Sequence, residues 1–172
     1  MPGPVLILGG YGNFGKRIAE ALADDNIPII IAGRNAEKAK ALAASFSGPV
    51  EIAIFDIRTD LGVQLEAYKP SVVINTCGPF QNSNYAVAET CIAHGVHYID
   101  LADGRDFVVG ISALNDAAVR AGVCVIAGAS TVPGLSSAVL AHFSDDFGSL
   151  DHMRYGISPG QGTERGLATT QG

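Results

Sequence analysis

Short apolar runs recur along this chain, and a stretch of helical periodicity separates each from the next. The runs fall at residues 5–8, 27–32, 50–55, 71–75, 96–101 and 123–127. Each is close to continuous in apolar and β-branched residues instead of alternating apolar with polar. A strand of that pattern is buried on both faces. Between the first two runs, Phe14, Ile18 and Leu22 recur at helical spacing and predict one apolar helix face over residues 13–24. Asn35 is placed to cap a second helix whose inner face is Ala39, Leu42 and Ala43. Asp60 is placed to cap a third, with Leu61, Leu65 and Tyr68 inward and Pro70 as its stop. Residues 84–94 and 106–121 predict two more helices, closed by Gly95 and Gly122. Residues 135–143 carry a further helical pattern after Pro133-Gly134, and residues 152–157 are a candidate seventh strand. Strand and helix in strict alternation require parallel strands joined by right-handed crossovers. The expected fold is therefore α/β: a Rossmann-type doubly wound parallel sheet, order 3-2-1-4-5-6, with helices on both faces. It occupies residues 1–157. Residues 158–172 form a glycine-rich tail with almost no apolar content, expected to be mobile by itself.

Composition narrows the function classes. With 48% hydrophobic and 16% charged residues the chain can bury a core, which excludes a disordered segment. A formal net charge of −6 excludes a nucleic-acid partner, because phosphate neutralisation needs clustered Lys and Arg. No apolar run approaches the roughly 18 residues of a membrane span. No basic region precedes the short run at residues 5–8, so a signal sequence is not expected. Three cysteines, Cys77, Cys91 and Cys124, with no C-x-x-C pair, read as free thiols in a reducing compartment. A cytoplasmic protein is the expectation.

The first turn reads Gly9-Gly10-Tyr11-Gly12-Asn13-Phe14-Gly15. Gly10, Gly12 and Gly15 fit G-x-G-x-x-G, and they lie between the first strand and the first helix, the context that this motif needs. Gly10 is assigned the tight turn, Gly12 the close approach of a pyrophosphate, and Gly15 the close helix–strand packing. The helix N-terminus then offers N–H groups and a positive dipole end to phosphates. The end of the second strand selects the cofactor. A site that prefers NAD places Asp or Glu there, about 20 residues after the glycines. Here the sequence is Ile31-Ala32-Gly33-Arg34-Asn35, with no acid. The Arg34 guanidinium suits a 2′-phosphate, and Lys38 one turn further could add charge. The reading is NADP(H), with NAD as the alternative. Asp56-Ile57, after the third strand, is placed to flank an adenine ring. Loops 75–80, 101–104 and 128–134 should share the carboxyl edge of the sheet.

Other signals carry less. His94 and His97 are separated by the helix breaker Gly95, so no metal site is expected. His97 shares a strand face with Ile99 and Leu101 and is expected to be packed. Ser136-Ser137 belongs to a helix start, and no G-x-S-x-G elbow is present. Cys77 sits in a ligand loop, but the sequence offers no clear positive charge to activate it. Asp100 and Asp103 lie near the carboxyl edge, where acids often serve as structural caps. None of the five tyrosines has a lysine four residues on, which argues against a single-domain short-chain reductase.

Taken together, the glycine turn, Ala32-Gly33-Arg34, the loop Asn75-Thr76-Cys77-Gly78-Pro79-Phe80 and the strand His97-Tyr98-Ile99-Asp100-Leu101 resemble the NADP-binding domain of the saccharopine dehydrogenase-like family. The resemblance runs from about Val5 to about Ile157. It implies an oxidoreductase of two domains, the first for the nicotinamide cofactor and the second for a small, amino-acid-like substrate and often the dimer interface. Carried over position by position, it implies cofactor contacts at Gly10, Gly12, Asn13, Phe14, Gly15, Arg34, Asn35, Asp56, Thr76, Gly78 and Pro79, and it assigns no catalytic residue. The chain is expected to be a piece of a longer protein, inactive alone, with self-association through the surface a second domain would cover. A non-catalytic dinucleotide sensor or scaffold is the alternative, since fold does not fix function.

Overall fold

The isoleucine- and leucine-rich runs become the centre of one sheet. The computed structural model describes residues 3–81, 83–156 and 158. Strands β1 (Val5–Leu8), β2 (Ile29–Gly33), β3 (Val50–Ile54), β4 (Val72–Asn75), β5 (His97–Asp100) and β6 (Val125–Ile126) form a six-stranded sheet in the order β3-β2-β1-β4-β5-β6. Every pairing is parallel, and β1 holds β2 on one side and β4 on the other. This is the expected doubly wound Rossmann topology. Helices α1 (Asn13–Asp24), α2 (Ala36–Ala43), α3 (Leu61–Tyr68), α4 (Ala86–Ala93), α5 (Arg105–Gly110), α6 (Asn115–Ala121) and α7 (Ser136–His142) follow in turn.

The pleat of β1 sends Leu6 and Leu8 to one face and Ile7 to the other. On the first face they join Ile30, Ala32 and Val73 beneath Leu61 and Leu65 of α3 and Ala88 and Cys91 of α4. On the second, Ile7 and Ile29 meet Ala19 of α1, with Ile18 and Leu22 against them. Helix layers on both sides explain why these strands are continuous apolar runs.

Local signals act largely as expected. The Asn35 side chain accepts from the Lys38 N–H at 3.0 Å and caps α2. Gly122, at φ +67, closes α6 in the left-handed region. Asp60 precedes α3, but its carboxylate caps no N–H.

Four expectations need correction. Residues 106–121 are not one helix: α5 stops at Gly110, a tight turn spans Ile111–Leu114, and α6 begins at Asn115. Gly110 is a weak helix former, and side chains compete for carbonyls at this point. The Tyr85 hydroxyl donates to the Phe107 carbonyl at 2.9 Å, and Ser112 Oγ donates to the Val109 carbonyl at 2.9 Å. Residues 152–156 form no strand, and Ile157 lies outside the described residues, as does the tail after Ser158. Phe14 is 58% exposed, because the first turn of α1 projects past the sheet; Gly15 and Ala19 are the buried residues of that helix. His97 is exposed, and its Nδ1 accepts from the Cys124 N–H at 2.9 Å, fastening β5 to the segment before β6.

Candidate cofactor site

A cleft of about 650 Å³ opens along the carboxyl ends of the strands. The glycine turn after β1 forms one wall. Its left-handed residue is Gly9, at φ +73, not Gly10 as the motif suggested, and the Gly12 N–H donates to the Gly9 carbonyl at 2.8 Å to close it. Gly15 lies so near this turn that a Cβ there would fall 2.3 Å from the Gly9 oxygen and 2.7 Å from Gly10 Cα. Only a residue without a side chain lets α1 begin this close to the strand. Helix α1 starts at Gly12 with no side-chain cap and no acidic residue in its first turn. Its positive end is therefore not neutralised from within the helix.

Arg34, Asp56, Gly78 and Pro79 all line the cleft. Arg34 is exposed and leaves the end of β2 directly into it. The Asp56 Oδ1 accepts from the Arg58 N–H at 3.0 Å, a local turn that leaves Ile57 and Arg58 in the wall beside it. Asn35 stands at the rim, its side chain committed to capping α2. Gly10, Gly12, Asn13, Phe14 and Gly15 build the adjoining loop and helix start. Thr76 serves differently. Its hydroxyl donates to the Leu8 carbonyl at 2.8 Å and approaches the Gly9 carbonyl at 3.2 Å, pinning the β4 loop to the glycine turn.

A buried polar group braces the strand ends behind the cleft. Asn75 accepts from the Cys77 N–H at 3.0 Å and donates to the Tyr98 hydroxyl at 3.2 Å. Asp100 Oδ1 accepts from the N–H groups of Ala102 and Gly128, at 2.9 and 3.0 Å, and so joins the loops after β5 and β6. Its other oxygen, Oδ2, is buried and meets no hydrogen-bond partner among the described residues. Burial, reinforced by the nearby Asp100 charge, pushes the Tyr98 hydroxyl up, so it stays protonated. Asp103 accepts from Gln81 Nε2 at 3.0 Å.

Cys77 has the neighbouring cation that the sequence did not reveal. Arg34 favours its thiolate, but burial outweighs that attraction and Asp56 adds to the opposition, so the thiol is pushed up to about 11. It packs in the wall of the cleft as a protonated thiol. The two histidines make separate contacts, His94 with Glu66 at 3.6 Å and His97 with Cys124. No metal-holding group of His, Cys, Asp and Glu occurs among the described residues.

Sequence reasoning missed several wall residues. Tyr11 was visible inside the motif but is not part of its pattern. Arg58 follows Asp56 by two positions and carried no signal. Asn84 reaches the cleft from the loop before α4, and Thr90 and Phe107 from helices α4 and α5, far along the chain.

Comparison with known proteins matches this geometry. The saccharopine dehydrogenase NADP binding domain family matches residues 5–126. A saccharopine dehydrogenase-like oxidoreductase of Rattus norvegicus is 26% identical over 124 residues, covering 62% of this chain and 29% of the relative. The chain thus spans under a third of that protein's length. Apo histidine-tagged saccharopine dehydrogenase (L-Glu forming) from Saccharomyces cerevisiae has a TM-score of 0.64 at 22% identity, over 84% of this chain and 31% of that one. The 3-hydroxyacyl-CoA dehydrogenase type-2 of Mycobacterium avium has a TM-score of 0.58 at 20% identity, over 72% and 71% of the two chains. The structural likenesses speak to the fold, and the match to residues 5–126 speaks to descent: the chain belongs to the saccharopine dehydrogenase NADP-binding domain family.

Proposed function

We propose that this chain is the cofactor-holding half of an NADP(H)-dependent oxidoreductase whose substrate, a small amino-acid-like molecule, is held largely by a further domain. One observation carries the NADP(H) assignment within the cleft: Arg34, and no acid, stands at the end of β2. The glycine turn and the uncapped start of α1 hold the pyrophosphate. Arg34 and the turn at Asn35 hold the 2′-phosphate, and Asp56 with Ile57 borders the adenine. Gly78 and Pro79 carry the dinucleotide toward the β5 and β6 loops. The bound cofactor supplies hydride chemistry. The residues of this chain position it, and the Asn75–Tyr98 and Asp100 contacts keep the supporting loops rigid.

The surroundings fit a cytoplasmic protein: all three thiols are free, and no described helix is long and apolar enough to cross a membrane. The exposed Leu135, Val139, Phe143 and Phe147 offer a surface for self-association or for the further domain.

Parallel titrations with NADPH and NADH, followed by nicotinamide fluorescence, test the assignment. NADPH is expected to bind at least about tenfold more tightly, about 1.4 kcal/mol, and Arg34→Ala to erase the difference. Equal affinities in the unsubstituted protein would overturn the choice of NADP(H).

A further inference from the structure

The glycine turn carries a side chain that crosses to the other end of the adenosine region. Tyr11 leaves the turn and lies on Gly33, the last residue of β2. A Cβ at Gly33 would fall 2.5 Å from Tyr11 Cε1, 2.6 Å from its hydroxyl oxygen and 2.7 Å from Cζ. Gly33 is therefore the seat of the ring, and any side chain there would displace it. At the far end of the ring, the Tyr11 hydroxyl accepts from the Asn35 N–H at 2.8 Å. Tyr11, Gly33 and Arg34 line the same cleft.

The hydrogen-bond inventory of a phenol then decides what this hydroxyl can do. It has one proton to give and lone pairs to receive. The Asn35 N–H takes a lone pair, so the proton remains, and the hydroxyl donates no hydrogen bond among the described residues. The tether to Asn35 fixes the oxygen beside the start of α2, one residue from the Arg34 backbone. A hydroxyl donor in the cleft that Arg34 also lines suits an anionic oxygen. A hydrogen bond to a charged acceptor is roughly twice as strong as one to a neutral acceptor.

We propose that Tyr11 is a specificity-determining residue for the 2′-phosphate: its hydroxyl accepts from Asn35 N–H and donates to a phosphate oxygen, while Arg34 supplies the charge. The glycine at position 33 belongs to the same device, because it gives the ring its place. This rests on the NADP(H) reading above and extends it from one reader to two.

The test uses cofactor fragments, so that the nicotinamide end and any further domain play no part. Adenosine 2′,5′-bisphosphate and 5′-AMP are titrated into the protein by calorimetry, with Tyr11→Phe, Gly33→Ala and Arg34→Ala alongside. Phenylalanine keeps the ring on Gly33 and removes only the hydroxyl. Tyr11→Phe is expected to weaken the bisphosphate about tenfold and to leave 5′-AMP within about twofold. Gly33→Ala, with circular dichroism as a check on folding, is expected to lose the same selectivity by unseating the ring. Unchanged bisphosphate affinity in Tyr11→Phe, with a loss in Arg34→Ala, would overturn the role of Tyr11 and leave the NADP(H) reading standing. An equal loss for both ligands in Tyr11→Phe would also overturn it, since the side chain would then only shape the loop. No preference for the bisphosphate in the unsubstituted protein would overturn both readings.

Discussion

Residues 5–33 and residues 131–156 are both rich in large apolar side chains, and the fold treats them in opposite ways. In the first region, Leu6, Ile7, Leu8, Ile30, Ile31 and Ala32 are wholly inaccessible to solvent. In the second, no described residue is buried. Leu135 is 60% exposed, Phe143 48%, Phe147 53% and Tyr155 60%. Hydrophobicity alone does not produce burial. The central strands have a helix layer on each face, whereas α7 has contacts mainly with the turns that flank it. The first region makes the domain and its cleft. The second leaves its apolar side chains open to solvent.

Core substitutions give the widest separation between the two regions. Ile30→Ala removes a wholly buried side chain packed between the sheet and the α3–α4 layer and is expected to cost about 2–5 kcal/mol. Phe143→Ala removes a larger side chain but should stay within about 0.5 kcal/mol, because the ring is already half in water. Urea unfolding of both variants measures the contrast. A large loss from Phe143→Ala would show that the second region is covered in solution, by a second copy or by chain outside the described residues.

The same contrast explains what could be read from the sequence. The sheet order was legible because β1 and β2 are buried on both faces and so carry an unbroken apolar signal. The glycine turn was legible because the close approach of α1 leaves no room for a Cβ at Gly15, and Arg34 lines the cleft because it follows the end of β2 directly. The break between α5 and α6 was hidden, since it depends on Tyr85, the residue before α4, whose hydroxyl meets the Phe107 carbonyl. His97 misled because strand alternation gives a face but not the depth of cover; near the edge of the sheet that face is open. Gly10 was given the turn that Gly9 makes, because adjacent glycines are equivalent in a motif and distinct in φ. The role of Tyr11 required knowing that the first turn and the end of β2 face each other.

Glycines sharpen the comparison at a smaller scale. At Gly15 an added Cβ meets only backbone, the Gly9 oxygen and Gly10, which cannot swing aside. Gly15→Ala is expected to cost about 1–3 kcal/mol and to abolish nucleotide binding, since α1 must move off the turn. At Gly148, in the exposed region, nothing lies within 4 Å of such a Cβ. Gly148→Ala should leave stability unchanged or raise it by about 0.4–1 kcal/mol through the unfolded chain. Thermal unfolding and a nucleotide titration on the pair provide the check. Normal binding by Gly15→Ala would mean that the close approach is dispensable.

Thiols give the mildest version of the contrast. Cys91 lies in the core and Cys77 in the cleft wall, and burial pushes them up to about 12 and about 11 from an ordinary 9. A thiol raised on folding holds its proton longer in the native state than in the unfolded one. Its contribution to stability is therefore complete below pH 9 and is lost as the pH climbs through the folded value. For Cys77 the window is pH 9 to 11, and the loss at pH 10 is on the order of 1 kcal/mol. Other groups titrate there too, so the informative quantity is a difference: Cys77→Ser should flatten the decline of stability over this window relative to the unsubstituted protein. Alkylation gives a second view. Cys124 is exposed and should react first at pH 8, whereas Cys77 holds about one thiolate in a thousand and should label about tenfold faster for each pH unit gained. If Cys77 reacted as readily as Cys124 at pH 8, the cleft wall would have to be open to solvent, and the first region would resemble the second at the one place where the cofactor must bind.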